Sequence, residues 1–410
     1  MRMRPSSKWS GQASSRFANP SLCVAIIWLV RVALAGAMQM SRFSLHHEPR
    51  RVLPAHSESA GVVGVFAVHS RSVNISHMTV DRHTGRVYVG GVNWLYQLNA
   101  SLFLEASAQT GPVYDSRWCS AAEAECQAND ARPSDNYNKV LLVDHAANKL
   151  IACGSVKQGS CRRHDLSDLT RQEPLVEVPV AANDENSSTV AFIGPSRYDP
   201  DGSPVDVLYV AATNTRSGPY RDMVPAISSR TLRLEQSGVP PGGDGMSDID
   251  GLFMVVEHSF SETARVDVSS NLRDAFLVHY VFGFHHRDFA YFALIQRKSY
   301  LLAHHEWGYE SRLARVCVSD PAYSTYVEVS IECMASDGTH YNLLRDATLV
   351  DSGEALLDEY KLSANRDGRL FVGVFVQSDG HQLKVRIDTR LFILATLSGV
   401  VMYGRGRRRC

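Results

Sequence analysis

The chain has 410 residues, of which 44% are hydrophobic, so it can bury a large core as one big all-β domain or as two or three ordinary domains. Its 42 basic and 43 acidic residues leave a formal net charge of -1. The chain therefore lacks the basic surplus typical of nucleic-acid-binding proteins, and we expect any macromolecular partner to be another protein.

The N-terminal segment has the order of a secretory signal peptide. Basic residues precede an apolar run over residues 22–34, and small residues follow it at 35–37. We predict a signal peptide over residues 1–37 and a variable segment over 38–59. Arg31 interrupts the apolar run, so a buried helix or a misassigned start codon is the alternative.

Cysteines and glycosylation sequons agree with export. Seven of the eight cysteines lie outside the apolar run, and two sets are closely spaced, as is typical of disulfides in an oxidising compartment: Cys119 with Cys126, and Cys153 with Cys161. Bridges over loops this short are worth about 2 to 3 kcal/mol each, enough to fix a turn. Three predicted N-glycosylation sites share the Asn-x-Ser pattern: Asn74, Asn99 and Asn186.

One short motif recurs along the middle of the chain. It is a polar turn followed by an apolar strand. The chain contains five copies, which lie at or immediately before residues 86–90, 149–154, 205–211, 287–292 and 367–373. The spacing gives a period of about 55 to 60 residues, which is the size of a four-stranded propeller blade. We predict an all-β fold and specifically a β-propeller, with a pair of β-sandwiches as the alternative.

The repeats span about 300 residues, which corresponds to about five to six blades. A closed ring leaves no long unpaired edge, so the pattern indicates an incomplete propeller in which the strand over residues 62–68 has lost its closing partner.

No catalytic pattern accompanies these repeats. Adjacent histidines occur at residues 46–47, 285–286 and 304–305, but none has the spacing of two zinc ligands on one helical face. The chain has no Gly-x-Ser-x-Gly elbow, no Walker loop and no dinucleotide-binding glycine motif. We predict that it is not an enzyme and that it has no cofactor, catalytic or metal site.

Several segments resemble the sema domain of plexins, which are cell-surface receptors for semaphorins. The resemblance runs collinearly over about residues 60–377 and is carried by GGVNWLYQL (90–98), TGPV (110–113), DNYNKVLL (135–142), LIACGS (150–155), NDENSSTVAF (183–192), YVFGF (280–284), RVC (315–317) and YVE (326–328). Details favour an invertebrate class A plexin, with class B second.

Two relatives share that fold. Semaphorins usually carry a Phe-x-Pro-like pattern where this chain has residues 156–159, and scatter-factor receptors normally carry a multibasic cleavage site, which is not seen between residues 60 and 377. The chain therefore resembles plexins more than either of these relatives.

The resemblance implies a seven-bladed propeller, here truncated before its last blade, that binds a semaphorin through loops on one face. It implies semaphorin–plexin signalling in axon guidance, and plexin self-association or a co-receptor as a further possible partner. The location would be the extracellular face of the plasma membrane within a full-length receptor, and the secretory pathway or extracellular space for this chain itself. Tyr114, Tyr220 and Arg221 are candidate contact residues in loops.

The resemblance also implies disulfides between Cys119 and Cys126 and between Cys153 and Cys161. Cys317 and Cys333 would pair with cysteines further along the domain. Those partners are absent after residue 377, so we expect Cys317 and Cys333 to be unpaired or to lack their partner.

Residues 378–410 leave the family pattern, and we interpret them as a non-family tail. The apolar run over residues 391–403, followed by a basic stretch, leaves a membrane tether as one alternative. A secreted soluble sema protein that acts as ligand or decoy is another.

Overall fold

The computed structural model describes residues 66–67, 74–123, 125–198, 204–215, 218, 223–233, 251–259, 262–334, 338–351, 369–377 and 391–396. The expected signal peptide, the variable segment and most of the strand predicted over residues 62–68 lie outside this part of the chain. Phe66 and Ala67 are described, and they are not in a strand.

The described residues form an all-β structure. Its strands, in chain order, are β1 Ile75–Val80, β2 Val87–Gly91, β3 Trp94–Leu98, β4 Leu104–Gln109, β5 Val113–Asp115, β6 Arg132–Ser134, β7 Val140–Asp144, β8 Lys149–Cys153, β9 Cys161–Asp165, β10 Thr189–Tyr198, β11 Pro204–Ala212, β12 Ile227–Arg230, β13 Glu257–Ser259, β14 Glu262–Thr263, β15 Arg265–Val266, β16 His279–His286, β17 Phe289–Arg297, β18 Tyr309–Cys317, β19 Val327–Ile331, β20 Cys333–Met334, β21 His340–Tyr341, β22 Leu343–Asp351, β23 Arg369–Val376 and β24 Leu391–Thr396. Two 3₁₀ segments cover Lys157–Gly159 and Leu302–Trp307.

Five antiparallel sheets of three or four strands follow one another along the described chain. Their strand orders are β1-β2-β3-β4, β7-β8-β9, β10-β11-β12-β15, β16-β17-β18-β19 and β22-β23-β24. We call them blades 1 to 5. All five copies of the recurring motif lead into or form the second strand of a blade, which confirms the propeller prediction.

The first strands of the blades lie side by side in chain order, so they line the middle of the assembly. Contacts between neighbours at the starts of these strands show that they run in one direction: Ser76 Oγ donates to the Asn138 carbonyl at 3.1 Å, and the Tyr280 N–H donates to Ser188 Oγ at 2.8 Å. Since successive strands are antiparallel, connections between second and third strands emerge on the face where the first strands begin, which we call the loop face. Connections between first and second strands emerge on the opposite face, the turn face.

The apolar core lies between neighbouring blades. Apolar clusters fill these interfaces, and the largest cluster of each contains, in blade order, Tyr88 with Leu150, Ile151 with Val210, Phe192 with Phe292, and Phe284 with Phe371. Both faces of the middle blades are covered, which explains why strands such as β11 and β17 are almost continuously apolar rather than alternating. The far face of blade 1 is covered in part by Phe66, whose ring lies 5.4 Å from that of Tyr96.

The third strand of blade 5 lies within the segment that was interpreted as a non-family tail. Residues 391–396, part of the apolar run considered for a membrane tether, form β24, which pairs with β23 from Leu370 opposite Thr396 to Phe375 opposite Leu391. A six-residue apolar strand beside an apolar neighbour is a common way to extend a sheet, and this part of the tail belongs to blade 5.

Candidate ligand-recognition site

Most large aromatic side chains that stay exposed in the described part of the chain lie on the loop face. Five aromatic residues are more than half exposed: Phe103, Tyr114, Trp118, Tyr300 and Trp307. Only Phe103 lies in a turn-face connection. Exposed aromatics that cluster on one face of a rigid scaffold indicate a protein-binding surface.

Two disulfide-closed loops form the base of this surface. Cys119 is bonded to Cys126 and Cys153 to Cys161, each with an S–S distance of 2.04 Å. All four sulfurs are buried. The first bridge closes a loop between blades 1 and 2, and the second closes the connection between β8 and β9.

The turn inside the second loop has an unusual backbone. Lys157, Gln158 and Gly159 have φ angles of 50°, 59° and 77°, so three successive residues are left-handed. A non-glycine residue in this region costs about 1–2 kcal/mol, and two of the three are not glycine. Surrounding contacts must hold the turn in place.

Gln158 supplies the central contacts. Its side chain is 2% exposed, and its Nε2 donates to the Cys119 carbonyl at 2.6 Å. Its Oε1 accepts from Asn183 Nδ2 at 2.8 Å, and Asn183 in turn accepts a hydrogen bond from the Thr215 hydroxyl. One buried amide therefore joins both disulfide loops to blade 3.

Lys157 and Gly159 complete the attachment. The Lys157 N–H donates to Asp115 Oδ2 at 2.7 Å, and its Nζ donates to the Glu123 carbonyl at 2.5 Å. A Cβ on Gly159 would lie 1.9 Å from the carbonyl oxygen of Ala181, so only glycine allows this approach. Burial raises the pKa of Asp115 even though the Lys157 N–H stabilises its charged form.

The segment DNYNK, over residues 135–139, ties three blades together at the loop face. Asn136 Nδ2 donates to the Thr110 carbonyl at 3.0 Å, while its Oδ1 accepts the Ser155 N–H at 3.0 Å. The Asn136 N–H donates to Asn93 Oδ1 at 2.7 Å. Lys139 is buried and donates through Nζ to the carbonyls of Glu185 and Ser187, at 3.0 and 2.9 Å, before blade 3.

Four exposed residues of the loop face lie in the connections around this base, and we call them the aromatic platform: Tyr114, Arg117, Trp118 and Met223. Tyr114, Trp118 and Met223 are 58%, 54% and 56% exposed, and the Arg117 guanidinium lies 5.3 Å from the centre of the Trp118 ring. Gly218, from the β11–β12 connection of blade 3, lies against the Arg117 carbonyl.

A second exposed group lies farther round the loop face, between β17 and β18. Tyr300, Leu301 and Trp307 are 56%, 46% and 52% exposed, and the Trp307 ring stacks on His304 at 4.0 Å. The buried hydrogen bonds and the two disulfide loops described above lie beneath the aromatic platform, in blades 1 to 3. Among the described residues, the platform therefore has a more rigid base than the blade 4 group.

A cavity of about 400 Å³ opens between blades 1 and 2. Ser160 and His164 both line it, but Ser160 Oγ donates to the Lys157 carbonyl and His164 Nδ1 bonds the Leu169 carbonyl. Burial lowers the pKa of His164. These two side chains are therefore occupied with backbone groups, and the described lining shows no hydroxyl–imidazole pair of the kind used in nucleophilic catalysis.

Of the contact residues suggested by the sequence, Tyr114 lies in the platform, whereas Tyr220 and Arg221 lie outside the described residues. Trp118 and Arg117 were missed. A Trp beside a half-cystine in a polar loop was the available signal, since loop residues have no core in which to bury an indole.

The predicted glycosylation sites occupy different settings. Asn74 and Asn186 are exposed, whereas Asn99 is half-buried in the β3–β4 turn, where its Oδ1 accepts the N–H groups of Ser101 and Phe103 at 2.9 and 3.0 Å. Glycosylation at the three positions stays a prediction.

The two remaining described cysteines are Cys317 and Cys333. Cys317 takes part in a disulfide bond, and the expectation that its family partner is missing stays a prediction. Cys333 is buried in the β20–β21 hairpin, and its pairing stays a prediction.

Successive antiparallel blades whose first strands lie side by side, with two disulfides between and within blades 1 and 2, define a fold of the β-propeller class. Within the described residues, no helix has both the length and the apolar character needed to cross a membrane.

Comparisons with known proteins give the family. No protein-family model matches the chain. Plexin-A4 of Danio rerio is 30% identical over 348 residues, which is 82% of this chain and 17% of that protein. Plexin-B1 of Homo sapiens is 32% identical over 295 residues, or 71% of this chain and 12% of that protein.

A solved structure of the full extracellular region of Plexin A4 superposes with a TM-score of 0.63 at 29% identity, and it covers 79% of this chain and 34% of that one. The chain belongs to the plexin family and corresponds to its sema domain. It spans less than a fifth of the length of these plexin relatives.

Proposed function

We propose that this chain is the ligand-binding sema domain of a semaphorin receptor and that it recognises a semaphorin through the loop face. Plexin family membership supports the class of ligand. The activity is non-catalytic recognition, and signalling in processes such as axon guidance would require the rest of a receptor. Self-association with a second plexin or contact with a co-receptor is part of the same proposal.

The aromatic platform is the observation that carries the proposed site. Binding energy in protein interfaces is concentrated in a few Trp, Tyr and Arg side chains. Trp118, Tyr114 and Arg117 supply all three types within five residues of one exposed connection. The polar contacts of Gln158 and Lys157 hold the loops beneath them, so little conformational entropy would be lost on binding.

The same loops support an extracellular placement. Two short disulfides lie directly under the platform, and such bridges persist in oxidising compartments. Asn186 is exposed on the loop face, and a glycan there would flank the contact area from the blade 3 side.

The test uses the full 410-residue chain secreted from eukaryotic cells, with immobilised semaphorin ectodomains as the probe. Trp118→Ala and Arg117→Ala are compared with Phe103→Ala, a matched aromatic removal on the turn face, where Phe103 is 71% exposed. We expect Trp118→Ala to weaken binding about 30-fold, as for a hot-spot residue worth about 2 kcal/mol, and Phe103→Ala to change it less than about twofold.

The possible outcomes test the proposed ligand and the proposed binding face separately. Failure of the folded parent chain to bind any semaphorin would refute the proposed ligand. Binding that depends on Phe103 but not on Trp118 would keep the ligand and reject the loop face. Dependence on Trp307→Ala alone would move the site to the blade 4 group.

A further inference from the structure

Two turns on the turn face bring three metal-ligand side chains together. Asp81 and His83 lie in the β1–β2 turn of blade 1, and His145 lies in the equivalent β7–β8 turn of blade 2. One ligand atom from each of the three lies within 4.8 Å of the others. The two imidazole rings are 4.2 Å apart between centroids, and His145 Nδ1 is 3.6 Å from Asp81 Oδ1.

The carboxylate of the group is fixed before any ligand arrives. Asp81 is 3% exposed, its Oδ1 accepts the His83 N–H at 3.0 Å, and its Oδ2 accepts the Thr84 hydroxyl at 2.5 Å. The side chains of both histidines are exposed and can rotate toward it. The arrangement has one rigid anchor and two adjustable ligands.

The donor set favours a zinc-type ion over calcium or magnesium. Two imidazole nitrogens with one carboxylate oxygen are ligands that Zn²⁺ takes in tetrahedral sites, with bonds of about 2.0–2.2 Å, whereas Ca²⁺ and Mg²⁺ prefer oxygen alone. Those bonds place two ligand atoms about 3.4 Å apart across the metal, close to the 3.6 Å between Asp81 and His145.

We propose that Asp81, His83 and His145 form a Zn²⁺ site that links the turns of blades 1 and 2. Three protein ligands leave the fourth position for water or for a side chain of another molecule. The site lies on the face opposite the aromatic platform, so metal binding and ligand recognition use separate surfaces.

No sequence motif marks this site. His83 is two residues from Asp81, but His145 follows 62 residues later, and only the repetition of the blade turn makes them neighbours. The histidine pairs that do stand out in the sequence are adjacent in the chain and do not include these residues.

The experiment titrates the full chain, stripped of metal with chelator, with zinc chloride in a calorimeter. The chain has 16 histidines, so the comparison with variants decides which of them form the site. We expect one site lost in the His83→Ala/His145→Ala double variant, at least about a tenfold weaker affinity in each single variant, and no response to calcium chloride.

His340→Ala is the matched control, because His340 Nδ1 lies 3.3 Å from Glu332 and forms an exposed histidine–carboxylate pair that no second histidine joins among the described residues. It should leave the affinity unchanged. Asp81→Asn is a second variant that keeps an oxygen for the turn but weakens the metal site.

A second readout is thermal unfolding. Zinc should raise the unfolding temperature of the parent and of His340→Ala, but not that of the double variant, while all three unfold alike in chelator. A parent chain that takes up no zinc, or a double variant that binds it with unchanged affinity, would overturn the proposal.

Discussion

Gln158 allows the sharpest test of how the loop face is held. Replacement by alanine removes two short side-chain hydrogen bonds, those to the Cys119 carbonyl at 2.6 Å and from Asn183 at 2.8 Å, in a position that is 2% exposed. Loss of the bond to the buried Cys119 carbonyl costs about 1–3 kcal/mol, and loss of the half-buried bond from Asn183 adds about 0.5–1.5 kcal/mol. We expect Gln158→Ala to lower the free energy of unfolding by about 2–4 kcal/mol.

Gln158→Gly separates the side chain from the backbone. It loses the same hydrogen bonds, but glycine adopts the φ of 59° without steric cost. The relief of about 1–2 kcal/mol is partly offset by the greater freedom of glycine in the unfolded chain. We expect the glycine variant to be about 0.5–1 kcal/mol more stable than the alanine variant.

Urea denaturation of the secreted chain, followed by tryptophan fluorescence, measures both differences, provided that the slope m is unchanged. Gln172→Ala is the control, since Gln172 is exposed and accepts one hydrogen bond from Arg162 at 2.7 Å, and it should cost less than about 0.5 kcal/mol. An alanine variant as stable as the parent, or less damaged than the glycine variant, would refute the strained-turn argument.

Three further results are expected. Gly159→Ala should destabilise the chain by at least about 2 kcal/mol more than Gly338→Ala in the same urea assay, because both have positive φ but only Gly159 would place its Cβ against a backbone carbonyl; equal losses would contradict this. Burial, aided by a nearby lysine, lowers the pKa of His77 to about 4, so the unfolded chain binds more protons than the folded chain between about pH 6.5 and 4. The free energy of unfolding should therefore decrease as the pH is lowered through that window, and it should decrease less steeply in a His77→Gln variant. The double substitution Cys119→Ser/Cys126→Ser should cost about 2–3 kcal/mol and weaken semaphorin binding more than Phe103→Ala does; unchanged binding would separate the loop from the site.

The sequence was sufficient for the architecture because its signal is local and repeated. A polar turn followed by an apolar strand, as at Gly85 before β2 or Asn148 before β8, encodes one hairpin, and the same hairpin returns in every blade. The number of strands in each blade was harder to predict from the sequence. The strand Leu391–Thr396 was missed because a short apolar run after a break in the family pattern looks alike in a strand and in a tether.

The candidate site was less predictable, since it depends on partners far apart in the chain. Asn136 and Asn93 are 43 residues apart, and no propensity says that their side chains meet. Lys157 and Gln158 are not residue types that favour a left-handed backbone, so their conformation is imposed by tertiary contacts. Tyr114 could be suggested as a contact from loop placement alone, whereas Trp118 needed its exposure to be known.

Two kinds of contact hold neighbouring blades together. Midway along the strands the contacts are apolar, as between Phe192 and Phe292, and such contacts tolerate small shifts because dispersion has little directionality. At the loop face of blades 1 to 3 the contacts are buried polar groups, such as Gln158 and Lys139, whose hydrogen bonds are met in only one arrangement. Because the strained turn at Gln158 is held by these bonds, weakening them should loosen the platform before it unfolds the blades. We therefore expect variants that weaken these hydrogen bonds to lose ligand affinity while the fold stays stable. The loss should appear mainly as faster dissociation.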